Sequence, residues 1–135
     1  MTIKVNFNRI KEENAEERVS CESDMSQLLS VCSRDSKKGD AVMDFLAALA
    51  RYDHECVVEG VRESGVEVMA VVGDDSGAVL FVNSSARAIP LTFESVGLDV
   101  VRVRVIDSHR TNAVVPFGAE LLPLSIQLVE CEKKP

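Results

Sequence analysis

The sequence predicts a single α+β domain in which an antiparallel sheet of about six strands packs on one main helix, residues 40–52. The helix is indicated by apolar side chains that recur at the helical period. The sheet is indicated by alternating patterns after residue 54 and by the distribution of valine, with 4 in residues 1–54 and 17 in residues 55–135. Because β-branched side chains favour strands, the chain is expected to become mainly β-structure at this point.

The whole chain of 135 residues is expected to form one domain. We assign a strand and helices to residues 1–54, a β-meander to residues 55–130 and a charged tail to residues 131–135. Hydrophobic residues make up 46% of the chain, which is enough for a core. The first part has too few apolar residues to fold alone, whereas the sheet needs another element to cover one of its faces.

The main helix is predicted from the stretch DAVMDFLAALARY. Five side chains at i, i+3, i+4, i+7 and i+10 form one apolar stripe, made of Val42, Phe45, Leu46, Leu49 and Tyr52. Asp40 is expected to cap the first free N–H groups of this helix. A narrower stripe predicts a second helix over residues 23–33, which would precede the main helix in a helical hairpin.

Turn signals divide the second part of the chain into short strands. With a first strand at residues 2–7, the predicted strands are residues 55–62, 66–72, 78–84, 86–94, 99–107 and 122–129. Residues 108–112 are predicted to form a turn, and residues 114–118 to be irregular or a short strand. The sequence GDDSG at Gly73–Gly77 predicts a hairpin loop. Pro90 predicts an edge or a bulge, because proline offers no N–H to a neighbouring strand.

The strand at residues 99–107 has apolar side chains on both predicted faces. Strict alternation places Val101, Val103 and Val105 on one face of the strand. The residues between them lie on the other face: Val100, Arg102, Arg104 and Ile106. Since one helix covers only one face, we expect the second face to be buried in a homodimer.

The order strand, helix and antiparallel meander resembles in outline the hotdog, NTF2-like and small acidic secretion-chaperone folds. The resemblance covers the order of the elements, and no motif residue of these families is matched. It therefore implies a general architecture and no particular activity.

Composition disfavours several classes of partner. The net charge is −7, and an acidic surface repels nucleic acids and anionic membranes. Aromatic residues make up only 4% of the chain, which gives few platforms for stacking bases. No apolar run approaches the roughly 18–20 residues that cross a bilayer, and the N-terminal sequence lacks the apolar stretch of a signal peptide. Without a CxxC motif, the four cysteines are expected to be free thiols in the cytoplasm.

The densest group of reactive side chains lies at residues 53–56, where His54 and Cys56 would share one face of a strand and could bind a metal or act as base and nucleophile. Two ligands fall short of the three or four that zinc needs, and His109 and Cys131 are the remaining candidates to complete such a site. The sequence contains no glycine-rich phosphate loop and no metalloprotease or serine-hydrolase motif. We therefore predict no catalytic residue, metal site or cofactor.

Arginines supply the candidate binding residues. Arg102 and Arg104 lie two positions apart on one strand, and Arg87 and Arg110 are expected nearby. Paired guanidinium groups suit carboxylate or phosphate, so these four residues are candidates for a ligand or an acidic partner. The alternative is an outward face on which the arginines form cross-strand salt bridges.

Three functional hypotheses follow. The first is a non-enzymatic protein-binding or adaptor module that forms homodimers and binds a protein partner but no nucleic acid or membrane. The second is a small-ligand-binding protein or hotdog-like acyl enzyme, with its ligand between the helix and the sheet. The third is an acidic inhibitor that mimics nucleic acid, which requires one continuous carboxylate face that includes the glutamates of residues 12–17.

Overall fold

The computed structural model of the protein describes residues 1–11, 36–61 and 63–133. More than half of these residues lie in strands. The elements in chain order are β1 (Thr2–Ile10), α1 (Ser36–Ala50), β2 (His54–Gly60), β3 (Val66–Val72), β4 (Ser76–Asn83), β5 (Ile89–Pro90), β6 (Thr92–Val96), β7 (Asp99–Ile106), β8 (Thr111–Val115), β9 (Glu120–Leu121) and β10 (Ser125–Glu132). The predicted helix at residues 23–33 lies outside the described residues.

The main sheet has eight strands in the order β6-β1-β2-β3-β4-β10-β7-β8, and β5 pairs separately with β9. The pairing of β1 with β6 is parallel, so the sheet is mixed. The predicted α+β class, with about six antiparallel strands on one main helix, is therefore wrong, because the described chain is a mostly-β fold. The pattern within a strand reports which residues are buried, but it does not report which strand lies beside it.

The predicted meander is correct for β2, β3 and β4 and again for β7 and β8, which pair in sequence order. The predicted hairpin at residues 73–77 is confirmed, with the Gly73 N–H donating to the Ser76 carbonyl at 2.9 Å. After β4 the order breaks, because β10 returns from the end of the chain and lies between β4 and β7. The predicted single strand at residues 86–94 is likewise two short strands, and Pro90 ends the first of them.

The sheet curls on itself around an inner core. That core joins side chains from strands at both ends of the sheet, including Ile3 and Val5 of β1 and Val103 of β7. Near its rim, the Phe93 ring of β6 packs at 5.4 Å from the ring of Phe117, which follows β8. This contact joins β6, at one end of the sheet order, to the segment that follows β8, at the other end.

Helix α1 packs on the opposite, outer face of the same sheet. Its buried stripe of Val42, Phe45 and Leu49 confirms the predicted core face. Burial of each such side chain stabilises the fold by roughly 1.5–3 kcal/mol. The predicted bounds are less accurate, since the helix starts at Ser36 and therefore contains Asp40 instead of being capped by it.

Strand β7 departs from the predicted alternation at one residue. The pairs Glu130↔Arg102 and Cys131↔Val100 leave Val101 as an extra residue, which makes a β-bulge. Val100 therefore packs against the inner core, and Val101 is 54% exposed. The bulge reverses the facing of the strand, so the predicted sharing of one face by Val101 and Val103 is wrong.

The two apolar faces of the central strands are both covered within the chain. The curled sheet covers the inner face, and α1 covers the outer face. The second apolar face therefore no longer argues for a homodimer, because its burial needs no second copy. Within the described residues, no helix is both long enough and apolar enough to cross a membrane.

Candidate functional site

Strand β8 lies at one end of the sheet order, and within the described residues its only partner strand is β7. Its sequence, TNAVV, contains no charged residue. Val114 points away from the inner core and is 66% exposed. A second bulge, at Asn112 with φ of 61°, and the following Pro116 limit the regular part of the strand to about three residues. We call Thr111–Val115 the β8 edge.

Arg104 lies directly opposite Val114 on the neighbouring strand. Its guanidinium donates to Glu130 Oε1 at 2.8 Å and to Asn112 Oδ1 at 3.4 Å, and it lies 5.2 Å from the centre of the Phe45 ring. Arg104 Nε is buried and has no hydrogen-bond partner in the described part of the chain. Arg104 thus links the helix, β10 and the β8 edge through one charged group.

Arg102 shares the same carboxylate, since its Nε donates to Glu130 Oε2. Burial alone would raise the pKa of Glu130, but the Arg102 hydrogen bond and the charges of Arg104 and Arg102 outweigh it and hold that pKa below its usual value. Arg102 and Arg104 therefore lie together. They form cross-strand salt bridges with Glu130, which was the predicted alternative to a binding site.

Arg87 and Arg110 bind other carboxylates. Arg87 pairs with Glu63 at 2.6 Å, in the loop region that follows β2. Arg110 pairs with Asp107 at 2.8 Å in the turn between β7 and β8. The four predicted arginines are therefore distributed over three ion-pair sites and do not form one cluster.

Asp107 organises the turn that carries Arg110. Its Oδ1 accepts the backbone N–H groups of His109 and Arg110, and its Oδ2 accepts two N–H groups of the Arg110 side chain. Burial raises the pKa of Asp107, but these hydrogen bonds and the Arg110 charge outweigh it and leave that pKa below its usual value. Both groups of the pair are thus held in fixed positions.

A buried asparagine, which the sequence analysis missed, orders the loops at the end of β4. The Nδ2 of Asn83 donates to the carbonyls of Arg87 and Leu122 at 3.0 Å each, and its Oδ1 accepts from Ser85. Only 1% of Asn83 is exposed. Its position, last in an apolar strand and followed by two serines, was the available signal for this role.

The histidine and cysteine candidates do not form a site. His54 and His109 are exposed, whereas Cys56 and Cys131 are buried in the inner core as free thiols. Burial raises the pKa of both thiols to about 12. Across the described residues, no group of three or more potential ligands is arranged to hold a metal. Neither thiol is a nucleophile at neutral pH.

Among solved structures, this chain is similar to part of a glycoside hydrolase family 30 subfamily 8 xylanase from Clostridium acetobutylicum, with a TM-score of 0.60 and 15% identity over 70% of this chain and 28% of the xylanase. For a family 30 endoxylanase from Clostridium papyrosolvens the TM-score is 0.50, with 21% identity over 58% of this chain and 23% of the endoxylanase. For a conserved exported protein from Bacteroides fragilis the TM-score is 0.50, with 6% identity over 57% of this chain and 18% of the exported protein.

The chain thus spans less than a third of each of these structures, and the likeness concerns the fold alone. It supports the curled mixed sheet and not the predicted α+β architecture. These similar structures include glycoside hydrolases and no adaptor, so they give no support to the adaptor interpretation. No protein-family model and no curated protein sequence matches the chain.

Proposed function

We propose that the domain is a non-enzymatic protein-binding module that pairs through the β8 edge, and that its first partner is a second copy of the same chain. The observation that carries this proposal is an uncharged terminal strand with Val114 two-thirds exposed. An unpaired strand edge presents free N–H and C=O groups that a second strand can bind. The short regular segment favours a weak dimer that depends on concentration.

Charge also favours this edge as the contact surface. Two copies with a net charge of −7 repel each other over most of their surface. The β8 edge adds no charge of its own, and Arg104 lies beside it on β7. Antiparallel pairing of two β8 edges therefore brings apolar side chains together without opposing carboxylates.

The other hypotheses have less support. The space between α1 and the sheet is packed with apolar side chains such as Phe45, Leu80 and Leu128, which disfavours a ligand there. A nucleic-acid mimic needs a continuous carboxylate face, whereas Glu130 lies between two arginines and residues 12–17 lie outside the described residues. Hydrolase activity is not proposed, because the similarity to xylanases concerns only part of those chains.

We infer that the module works in the cytoplasm. The free thiols of Cys56 and Cys131 support this, since a reducing compartment keeps thiols unpaired. Their burial in the core leaves them protected from thiol reagents.

The test is the solution mass of the protein by light scattering at rising concentration. We expect a dimer that forms as concentration increases and that reductant does not change. Val114→Lys places a charge at the centre of the contact and should weaken association by about tenfold or more. Because Val114 is exposed, the free energy of unfolding of the variant should differ from that of the unchanged protein by no more than about 0.5 kcal/mol.

Val61→Lys is the matched control, because Val61 is 71% exposed but lies in the loop after β2. The control should associate like the unchanged protein. A monomer at every concentration, or a dimer equally strong in Val114→Lys, would contradict the proposal.

A further inference from the structure

A cleft of about 460 Å³ opens on the inner side of the sheet, between the end of β8 and the start of β10. Its size falls within the roughly 300–1,000 Å³ of small-molecule sites. Its apolar walls include Val115, Pro116 and Leu122, and its polar groups come from Arg110, Glu120 and Gln127. Val115 of the β8 edge lines the cleft, but the exposed Val114, which lies at the centre of the proposed strand contact, does not.

Gln127 is the feature that points to a ligand. It is only 7% exposed, yet its side chain makes no hydrogen bond within the part of the chain that the structure describes. Its polar atoms are not sealed in the core, in contrast to Arg104 Nε, and the surface they reach is the cleft. A buried amide without a partner costs free energy unless water or a ligand binds it.

The walls around Gln127 are held in place. Asp107 fixes the guanidinium of Arg110 through two hydrogen bonds. The carbonyl of Leu122 accepts from Asn83 Nδ2 at 3.0 Å and from Ser125 Oγ at 2.7 Å. A site whose groups are already positioned binds a ligand at a lower entropic cost.

The charges favour a neutral ligand. Asp107 neutralises Arg110, and Glu120 adds a negative charge at the cleft of an already acidic chain, so an anion is disfavoured. The remaining polar groups include both donors and acceptors: the Gln127 amide offers both, Glu120 accepts and Arg110 donates. Hydroxyl groups match such a set, because each one donates and accepts.

We propose that this cleft binds a neutral, hydroxyl-rich small molecule of sugar type, with Gln127 as its central hydrogen-bonding group. The hydroxyls bind Gln127, Glu120 and the free N–H groups of Arg110. The C–H faces of the ring pack on Val115, Pro116 and Leu122. The ligand thereby supplies the partner that the Gln127 amide lacks within the described chain.

Nuclear magnetic resonance titration tests the proposal on the full chain. The probes are glucose, galactose, maltose, sucrose and trehalose, compared with glucuronate and glucosamine as charged analogues. We expect at least one neutral probe to shift the Gln127 side-chain amide resonances to saturation. Gln127→Leu should weaken that binding about tenfold or more, the effect of at least one lost hydrogen bond of this kind.

Glu94→Leu is the matched control, because Glu94 is an exposed polar side chain of β6 that does not line the cleft. It should bind the same probe with unchanged affinity. No shift at Gln127 with any neutral probe, or shifts with the charged analogues alone, would overturn the proposal. The titration of the unchanged protein decides this even if Gln127→Leu folds poorly.

Discussion

Strands β4 and β8 are both rich in apolar residues, but they occupy opposite environments in the sheet. In β4 seven of eight residues are buried, with Val79 and Phe81 in the inner core and Leu80 in the outer one. In β8 none of the five residues is buried. β4 lies between β3 and β10 and has α1 over its outer face, whereas β8 is the last strand. Position in the sheet, more than composition, therefore separates a core strand from an exposed one.

This difference separates stability from recognition. Strand β4 gains free energy from burial on two faces and is paired with a strand on each side. The β8 edge has little burial to lose, and among the described residues only one of its two sides has a partner strand. Three pairs of substitutions, separate from the two binding tests, measure how far the contrast holds.

The largest expected effect is in the inner core. Phe81→Ala removes a ring that is 1% exposed and should lower the free energy of unfolding by about 3–5 kcal/mol. Phe117→Ala, next to the cleft, removes a ring that is 39% exposed and should cost about 1 kcal/mol. Urea unfolding of both variants measures the difference. Equal losses would show that the sheet edge is as tightly coupled to stability as its centre.

An intermediate effect is expected at the carboxylate that joins the centre to the edge. Glu130→Gln leaves Arg102 and the largely buried Arg104 without their shared anion and should cost about 1–3 kcal/mol at neutral pH. Because the folded-state pKa of Glu130 is depressed, its contribution is present above the unfolded value near 4.5. The contribution is lost as pH falls through the lower folded value.

Stability measured between pH 7 and pH 3 should therefore depend less on pH in Glu130→Gln than in the unchanged protein. Glu59→Gln is the control, because Glu59 is exposed and lies 3.9 Å from an exposed Arg9. If Glu130→Gln retains the full acid dependence, the Glu130 carboxylate does not stabilise the fold through its ion pairs with Arg102 and Arg104.

The last pair compares two glycines, and it includes the smallest expected effect, at Gly118. A Cβ at Gly77, in β4, would lie 2.7 Å from the Val71 carbonyl oxygen and 2.8 Å from Phe7, so Gly77→Ala should cost about 1–3 kcal/mol. At Gly118, beside the cleft, nothing lies within 4 Å. Gly118→Ala should be neutral or stabilise by about 0.4–1 kcal/mol, since alanine has less freedom in the unfolded chain. Thermal unfolding of both variants measures the two effects. A larger loss of stability in Gly118→Ala than in Gly77→Ala would contradict the prediction.

The candidate site was predictable in part. Arg102 and Arg104 do share a face because the bulge lies before them, and a cross-strand carboxylate was the stated alternative. Arg87 and Arg110 were expected nearby, but turns in other parts of the fold hold them on Glu63 and Asp107. The β8 edge was predicted only in part, because Thr111 and Asn112 have the composition of a turn and the predicted short strand at residues 114–118 overlaps β8 only at Val114 and Val115.

The sequence by itself determined the features that depend on local periodicity. These include the apolar face of α1, the hairpin between β3 and β4 and most strand positions, since each is encoded by neighbouring residues. The tertiary structure alone decided the strand order, the parallel pair of β1 and β6, the bulge at Val101 and the meeting of Gln127 with Arg110 at one cleft. These features depend on pairings between distant segments, which a pattern of buried and exposed positions does not specify.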